Sequence, residues 1–138
     1  MPPRNTRTGG VLEQMVLPAL DHGGYGYKVQ VKIGRRLGCG QHFVDVIAQK
    51  EGPPILISMK WQQVSGTAEQ KVPFEVMCLE NALKAGSYEK AYVVLGGGGW
   101  KLRGFYTGGG LNEYMKLSGG VEILTLESFV AKANDGAL

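Results

Sequence analysis

The chain has 138 residues, enough for one substantial core and too few for two comfortable domains, so a separate recognition domain is not expected. With 43% apolar and 20% charged residues it reads as a folded domain rather than a disordered one, and its 22 glycines predict many turns. A formal charge of +3 permits a polyanionic partner without demanding one. No run approaches the roughly 20 apolar residues of a membrane span, and Met1 to Arg7 lacks the apolar stretch of a signal peptide. The expectation is therefore a cytoplasmic protein with no membrane partner, in which Cys39 and Cys78 are reduced thiols. A structural zinc site would need every Cys and His of the chain, and is not expected.

Thr8 or Gly9 opens a first helix through VLEQMVLPAL, where Val11, Leu12, Met15, Val16, Ala19 and Leu20 share one arc at about 100° per residue. Glu13 falls at the edge of that arc, either as a solvated flank or as a carboxylate aimed along the core's rim. Pro18 should kink or shorten the helix near its end. Lys28 to Ile33 alternates as a half-buried strand, with Lys28, Gln30 and Lys32 opposite Val29, Val31 and Ile33. A loop with Arg35 and Arg36 at its tip leads to a second strand, Gln41 to Gln49, in which Phe43, Asp45 and Ile47 share a face. Asp45 is an acid inside an apolar strand, a costly placement if charged and unpaired.

A third strand, ILISMKWQQ, puts Leu56, Ser58, Lys60 and Gln62 on one face and Ile55, Ile57, Met59 and Trp61 on the other. In a hairpin with the second strand, Asp45 and Lys60 become neighbours, which a plain salt bridge would also explain. Thr67-Ala68-Glu69-Gln70 has a capping-box pattern ahead of a helix carrying Val72, Val76, Leu79 and Leu83, with Pro73 starting or bending its regular part. Ala91 to Leu95 is a short strand apolar on both faces. The glycine-rich GGGGWKLRGFYTGGG follows, then a last strand at Val121 to Leu124 and a closing helix, Leu126 to Ala133, with Thr125 as its cap. The glycine runs lack the G-x-x-x-x-G-K-[ST] pattern, so no nucleotide triphosphate is expected.

Carboxylates at Glu13 and Asp45 with Lys60 nearby are the residue types of metal-dependent phosphodiester hydrolysis. Carboxylate oxygens hold a hard cation, and a lysine orients water or offsets developing negative charge. On Asp45 in VDVIA, Ser58-Met59-Lys60, Glu13 and the helix start GTAEQKVPFEV, the chain resembles the PD-(D/E)XK nuclease superfamily. The likeness runs from about Val11 to Leu95. Val44 stands where the family often has proline, and Ser58 where it usually has a second acid.

The resemblance implies an α/β fold, a restriction-endonuclease-like core of helix, three strands, helix and strand, with helices flanking a central mixed sheet. It implies one domain over residues 1–138, with its core at about 11–95 and residues 96–138 as a glycine-rich segment plus a terminal strand and helix. The implied activity is that of a Mg²⁺-dependent DNA endonuclease, with Mn²⁺ able to substitute, of the kind found among homing endonucleases, junction resolvases and restriction enzymes. Asp45, Glu13 and the Met59 carbonyl would hold metal, and Lys60 would serve the attacking water. Ser58 and Gln62 would assist in the site, with Glu69 and Gln63 as further support. Lys28, Lys32, Arg35, Arg36, Lys101 and Arg103, with Tyr106, would follow DNA phosphates. Double-strand cleavage by so small a domain implies a homodimer or a dimer of dimers. The competing reading is a catalytically impaired DNA-binding module of the same fold.

Overall fold

The structure, a computed structural model, describes residues 10–38 and 40–138. The helix start expected at Thr8 or Gly9 lies outside them, as does Cys39. The first helix has two parts, a π-helical stretch Leu12–Val16 and then α1 (Leu17–His22), with Pro18 in the first turn of the second part. Proline offers no N–H to the carbonyl four residues back, so it fits a helix best in the first turn, where that N–H has no helical partner anyway. The irregularity therefore precedes Pro18 instead of following it.

Next come β1 (Gly26–Arg35), β2 (Gln41–Gln49) and β3 (Ile55–Trp61), joined by antiparallel pairing. The long helix α2 (Ala68–Lys84) crosses over to β4 (Lys90–Gly96), which lies parallel to β3. A segment containing α3 (Arg103–Thr107) and a 3₁₀ turn, Gly110–Glu113, leads to β5 (Val121–Thr125), parallel to β4, and to α4 (Leu126–Asn134). The result is a five-stranded mixed sheet in the order β1-β2-β3-β4-β5 with helices on both faces, the α/β architecture expected from the order of elements. Thr125 caps α4 as expected, its Oγ1 accepting from Ser128 N–H at 3.1 Å.

Two apolar layers sandwich the sheet. Ile55, Ile57 and Met59 of β3 pack with the first helix and with Phe129 and Ala133 of α4, while Leu56 packs with Val72, Val76 and Leu79 of α2. Period-2 alternation in β3 thus divides the core as the sequence pattern requires. β4 contributes Tyr92 and Val94 to the first layer and Ala91, Val93 and Leu95 to the second, which is why all five are apolar. After Leu95, β5 extends the sheet beside β4, and Leu126, Phe129 and Ala133 of α4 lie in the first apolar layer.

The expected capping box at α2 does not form: Thr67 makes no side-chain cap bond. Gln62 does that job from a distance, its Oε1 accepting the Ala68 N–H at 3.0 Å while its Nε2 donates to the Gly99 carbonyl at 2.9 Å. The first glycine run has a packing reason. A Cβ on Gly97, at φ +91°, would meet the Gln62 carbonyl oxygen at 2.4 Å, and one on Gly99 would meet the Val64 main chain at 2.6 Å.

Pro73 lies inside α2, where its missing N–H leaves the Glu69 carbonyl without a helical partner. The Tyr106 hydroxyl donates to that carbonyl at 2.7 Å. Tyr106 is buried, so this bond, not a phosphate, occupies the hydroxyl the sequence pattern had offered to DNA. Tyr106→Phe is expected to cost roughly 1–2 kcal/mol in thermal or denaturant melts, the scale of orphaning a buried carbonyl. In a Pro73→Ala background the loss should shrink, because the restored N–H can take the same carbonyl.

Candidate active site

β2 and β3 pair only from Val46↔Ile57 to Ala48↔Ile55. Beyond Val46 the ladder gives way to a side-chain bond, in which the Met59 N–H donates to Asp45 Oδ2 at 2.7 Å. From there β2 stays with β1 and β3 with β4, so the sheet opens into a wedge. Asp45 and Ser58 stand at its apex, His42 and Val44 line one wall, and Lys60 lies on the other. Opposite Asp45, between the Val29↔Val46 and Val31↔Val44 pairs, Gln30 has φ +53°, a strained conformation for a residue other than glycine. The alternation of β2 breaks at this point: Val44 joins the α2 layer while Val46 joins the opposite one. Val44 and Asp45, adjacent in sequence, therefore both serve the α2 side, and Phe43 is left 46% exposed.

The residue that closes the wedge is Glu75 of α2, which sequence reasoning had not singled out. It is 1% exposed and is held at both oxygens, Oε1 by Arg36 Nη1 at 2.9 Å and Oε2 by His42 Nε2 at 3.0 Å. A carboxylate only accepts, so His42 Nε2 carries the hydrogen. The signal was present in the sequence. Glu75 sits one helical turn from Val72 and from Leu79, between positions that prove buried, and an acid there poses the question that Asp45 poses in β2.

The two carboxylates are driven apart in acidity. Burial raises the Asp45 pKa; the Met59 N–H and Lys60 act against the rise, and the negative charge of Glu75 adds to it. Burial pushes Glu75 upward too, but the His42 hydrogen bond, Lys60 and Arg36 together hold it below the usual glutamate value. Lys60 thus acts on both acids, and among the described residues it makes no ion pair of its own. One acid poised upward and one downward around a lysine is an arrangement that active sites use to separate proton-transfer and charge-holding roles.

The structure separates the remaining candidates. Ser58 is buried at the apex of the wedge. Glu13 is exposed on the π-helical stretch, which packs on the opposite face of the sheet from Glu75, and the structure does not bring it to Asp45. Gln62 and Glu69 are taken up by other partners: Glu69 Oε1 accepts the Leu102 N–H, its Oε2 faces Gln62 Nε2 at 3.4 Å, and Gln62 Nε2 donates to the Gly99 carbonyl, so both anchor the glycine-rich segment. Gln63 is exposed beyond the end of β3. Lys28, Lys32, Arg35, Lys101 and Arg103 are exposed, whereas the partly exposed Arg36 is paired with Glu75.

A family model of the PD-(D/E)XK nuclease superfamily domain matches residues 4–137. The chain belongs to that superfamily. No curated protein sequence matches it. A protein of unknown function, AF1548, is similar in fold, with a TM-score of 0.52 at 12% identity over 86% of this chain and 62% of its own. The small subunit of the heterodimeric restriction endonuclease R.BspD6I reaches a TM-score of 0.46 at 19% identity, over 84% of this chain and 64% of its own. A repair endonuclease from Pyrococcus abyssi reaches 0.40 at 14% identity, over 89% of this chain and 46% of its own. The chain spans less than two thirds of the length of each of these structures. Among its described residues, no helix is long and apolar enough to cross a membrane.

Asp45, Ser58 and Lys60, the residues that carry the sequence likeness to the PD-(D/E)XK pattern, come from the two strands that part at the wedge. Glu75 brings a second carboxylate to the same wedge from α2. The carboxylate oxygens of Asp45 and Glu75 are of the kind that suits a hard divalent cation. Among the described residues no group of three or more His, Cys, Asp or Glu side chains is arranged to hold a metal ion. The raised pKa of Asp45 is a second sign, since a buried carboxylate short of positive charge is relieved by a cation.

Proposed function

We propose that this PD-(D/E)XK protein is a Mg²⁺-dependent DNA endonuclease, with Mn²⁺ an acceptable substitute. The observation that supports it best is the meeting of Asp45, Glu75 and Lys60 at the point where β2 and β3 part, in a chain of this superfamily. Asp45 and Glu75 would hold the ion, with Glu75 in the place first assigned to Glu13, and the Met59 carbonyl is the further ligand that the family resemblance implies. When bound, such an ion polarises the scissile phosphate and acidifies the attacking water. Lys60 would orient that water or offset the negative charge that develops on phosphate. Ser58, buried and uncharged, would leave room at the apex without adding a third negative charge. The products would be a phosphate and a hydroxyl.

Supercoiled plasmid incubated with the protein and Mg²⁺ or Mn²⁺ tests this reading, with branched DNA alongside. Nicked or linear product supports it. Retention of DNA without cleavage would favour a catalytically impaired binding module instead. Cutting both strands of a duplex would require a second copy, as a homodimer or a dimer of dimers.

The exposed cations Lys28, Lys32 and Arg35 of the first hairpin, with Lys101 and Arg103, are proposed to track phosphates. Replacing Lys28, Lys32 and Arg35 together by Glu is expected to weaken duplex binding. The slope of log affinity against log salt should flatten by about 0.9 for each phosphate that the protein no longer neutralises. A slope unchanged in filter-binding or anisotropy titrations would return these residues to plain solvation.

A further inference from the structure

We infer that Arg36 couples DNA binding to metal loading, by holding Glu75 in the free protein and releasing it to the ion when a phosphate takes the guanidinium. This rests on the nuclease reading and adds a residue and a regulation to it.

Glu75 has both oxygens engaged, by two partners of different character. His42 is buried within β2, its side chain 1% exposed, and cannot leave without unpacking the wedge. The Arg36 side chain is 32% exposed and stands at the hairpin tip, beside Arg35. On either side of it Gly34, Gly38 and Gly40 all have positive φ and nothing within 4 Å of an added Cβ, so these glycines add no packing that would fix the arginine in place. Arg36 is thus an exchangeable partner and His42 a fixed one.

A guanidinium prefers phosphate in forked geometry at least as well as a carboxylate that it meets through one nitrogen. DNA brought to the basic hairpin offers that phosphate at the moment the ion is needed. Release of Oε1 leaves Glu75 held by His42 at Oε2 and open to a cation at the other oxygen. Linkage then requires reciprocity: whatever DNA adds to metal affinity, metal adds to DNA affinity. Metal binding to the free protein is correspondingly suppressed.

The test uses Arg36→Gln in the full chain, with Mn²⁺ binding followed by electron paramagnetic resonance without DNA. Duplex binding is followed separately in chelator across a salt series. Arg36→Gln should bind Mn²⁺ about fivefold or more tightly than the wild type, the scale of ordinary coupling between sites. Its salt slope should fall by about 0.9, the equivalent of one phosphate. Arg35→Gln, which removes the same charge one residue away, should lower the slope but raise Mn²⁺ affinity much less. Arg36→Lys, which keeps the charge but not the fork, should fall between wild type and Arg36→Gln and serves if the latter is poorly folded. Mn²⁺ affinity that is unchanged or lower in Arg36→Gln would show that Arg36 only positions Glu75, overturning the coupling while leaving the nuclease reading intact. A wild-type protein that binds neither Mn²⁺ nor DNA would overturn both.

Discussion

Asp45→Asn is expected to give a protein that is more stable at neutral pH and no longer cleaves DNA. The amide can still accept the Met59 N–H, so the bond that ends the β2–β3 ladder survives. What disappears is a carboxylate that burial and Glu75 make costly to ionise. The sign follows from linkage. The folded pKa of Asp45 lies above its ordinary value, so the native state binds the proton more tightly than the unfolded state. Asp45 therefore costs stability as pH rises from 3.8 through its higher folded pKa, and the cost is complete above that value. Thermal melts should show the Asn variant gaining on wild type across that window and matching it in stronger acid. Cleavage should fall by about a hundredfold to a thousandfold, the scale of removing one preorganised polar group from a reacting centre. An Asn variant that is inactive but less stable at neutral pH would mean that Asp45 is a structural ion-pair partner.

Glu75→Gln should show the opposite pH signature together with the same loss of activity. Its folded pKa is lowered, so Glu75 contributes stability above the ordinary glutamate value, which is lost as pH falls through the folded one. At neutral pH the substitution removes the charge that satisfies buried His42 and half-exposed Arg36. The expected cost is about 3 kcal/mol, the low end for breaking a buried pair, since Arg36 retains access to water. In acid the deficit should close. Two carboxylates in one wedge, one whose removal stabilises and one whose removal destabilises, would mark the wedge as built for a cation. A Glu75→Gln protein that keeps full cleavage would remove this residue from the site.

Much of this site was legible in the sequence, because a strand pattern fixes sides. Lys60 and Asp45 fall on one side by parity and a short hairpin brings them together, while the apolar face of ILISMKWQQ anchors the register. Glu75 was missed because the helical pattern around it was read for its apolar members alone, and Ser58 directed attention to acids elsewhere. The side of His42 and Val44 was not legible. It depends on Gln30 at positive φ and on a register shift between Lys32 and Gly34, and neither shows in a strictly alternating sequence. Glu69 and Gln62 looked like chemistry because they are polar groups near the lysine in the chain. In the structure they partner main-chain groups contributed by the glycine-rich segment some 33 to 37 residues away, and spacing alone does not reveal such pairings.

Whether Asp45, Glu75 and Lys60 form a hydrolytic centre is tested most directly by following supercoiled plasmid with Mg²⁺ or Mn²⁺ in wild type and Lys60→Ala side by side, each checked by a thermal melt. The wild type should convert plasmid to nicked or linear forms. Lys60→Ala should leave it supercoiled while keeping its fold and its metal-independent DNA binding, because the ammonium contributes chiefly at the reacting phosphate and water. A Lys60→Ala protein that cleaves as well as wild type and merely melts lower would contradict that role.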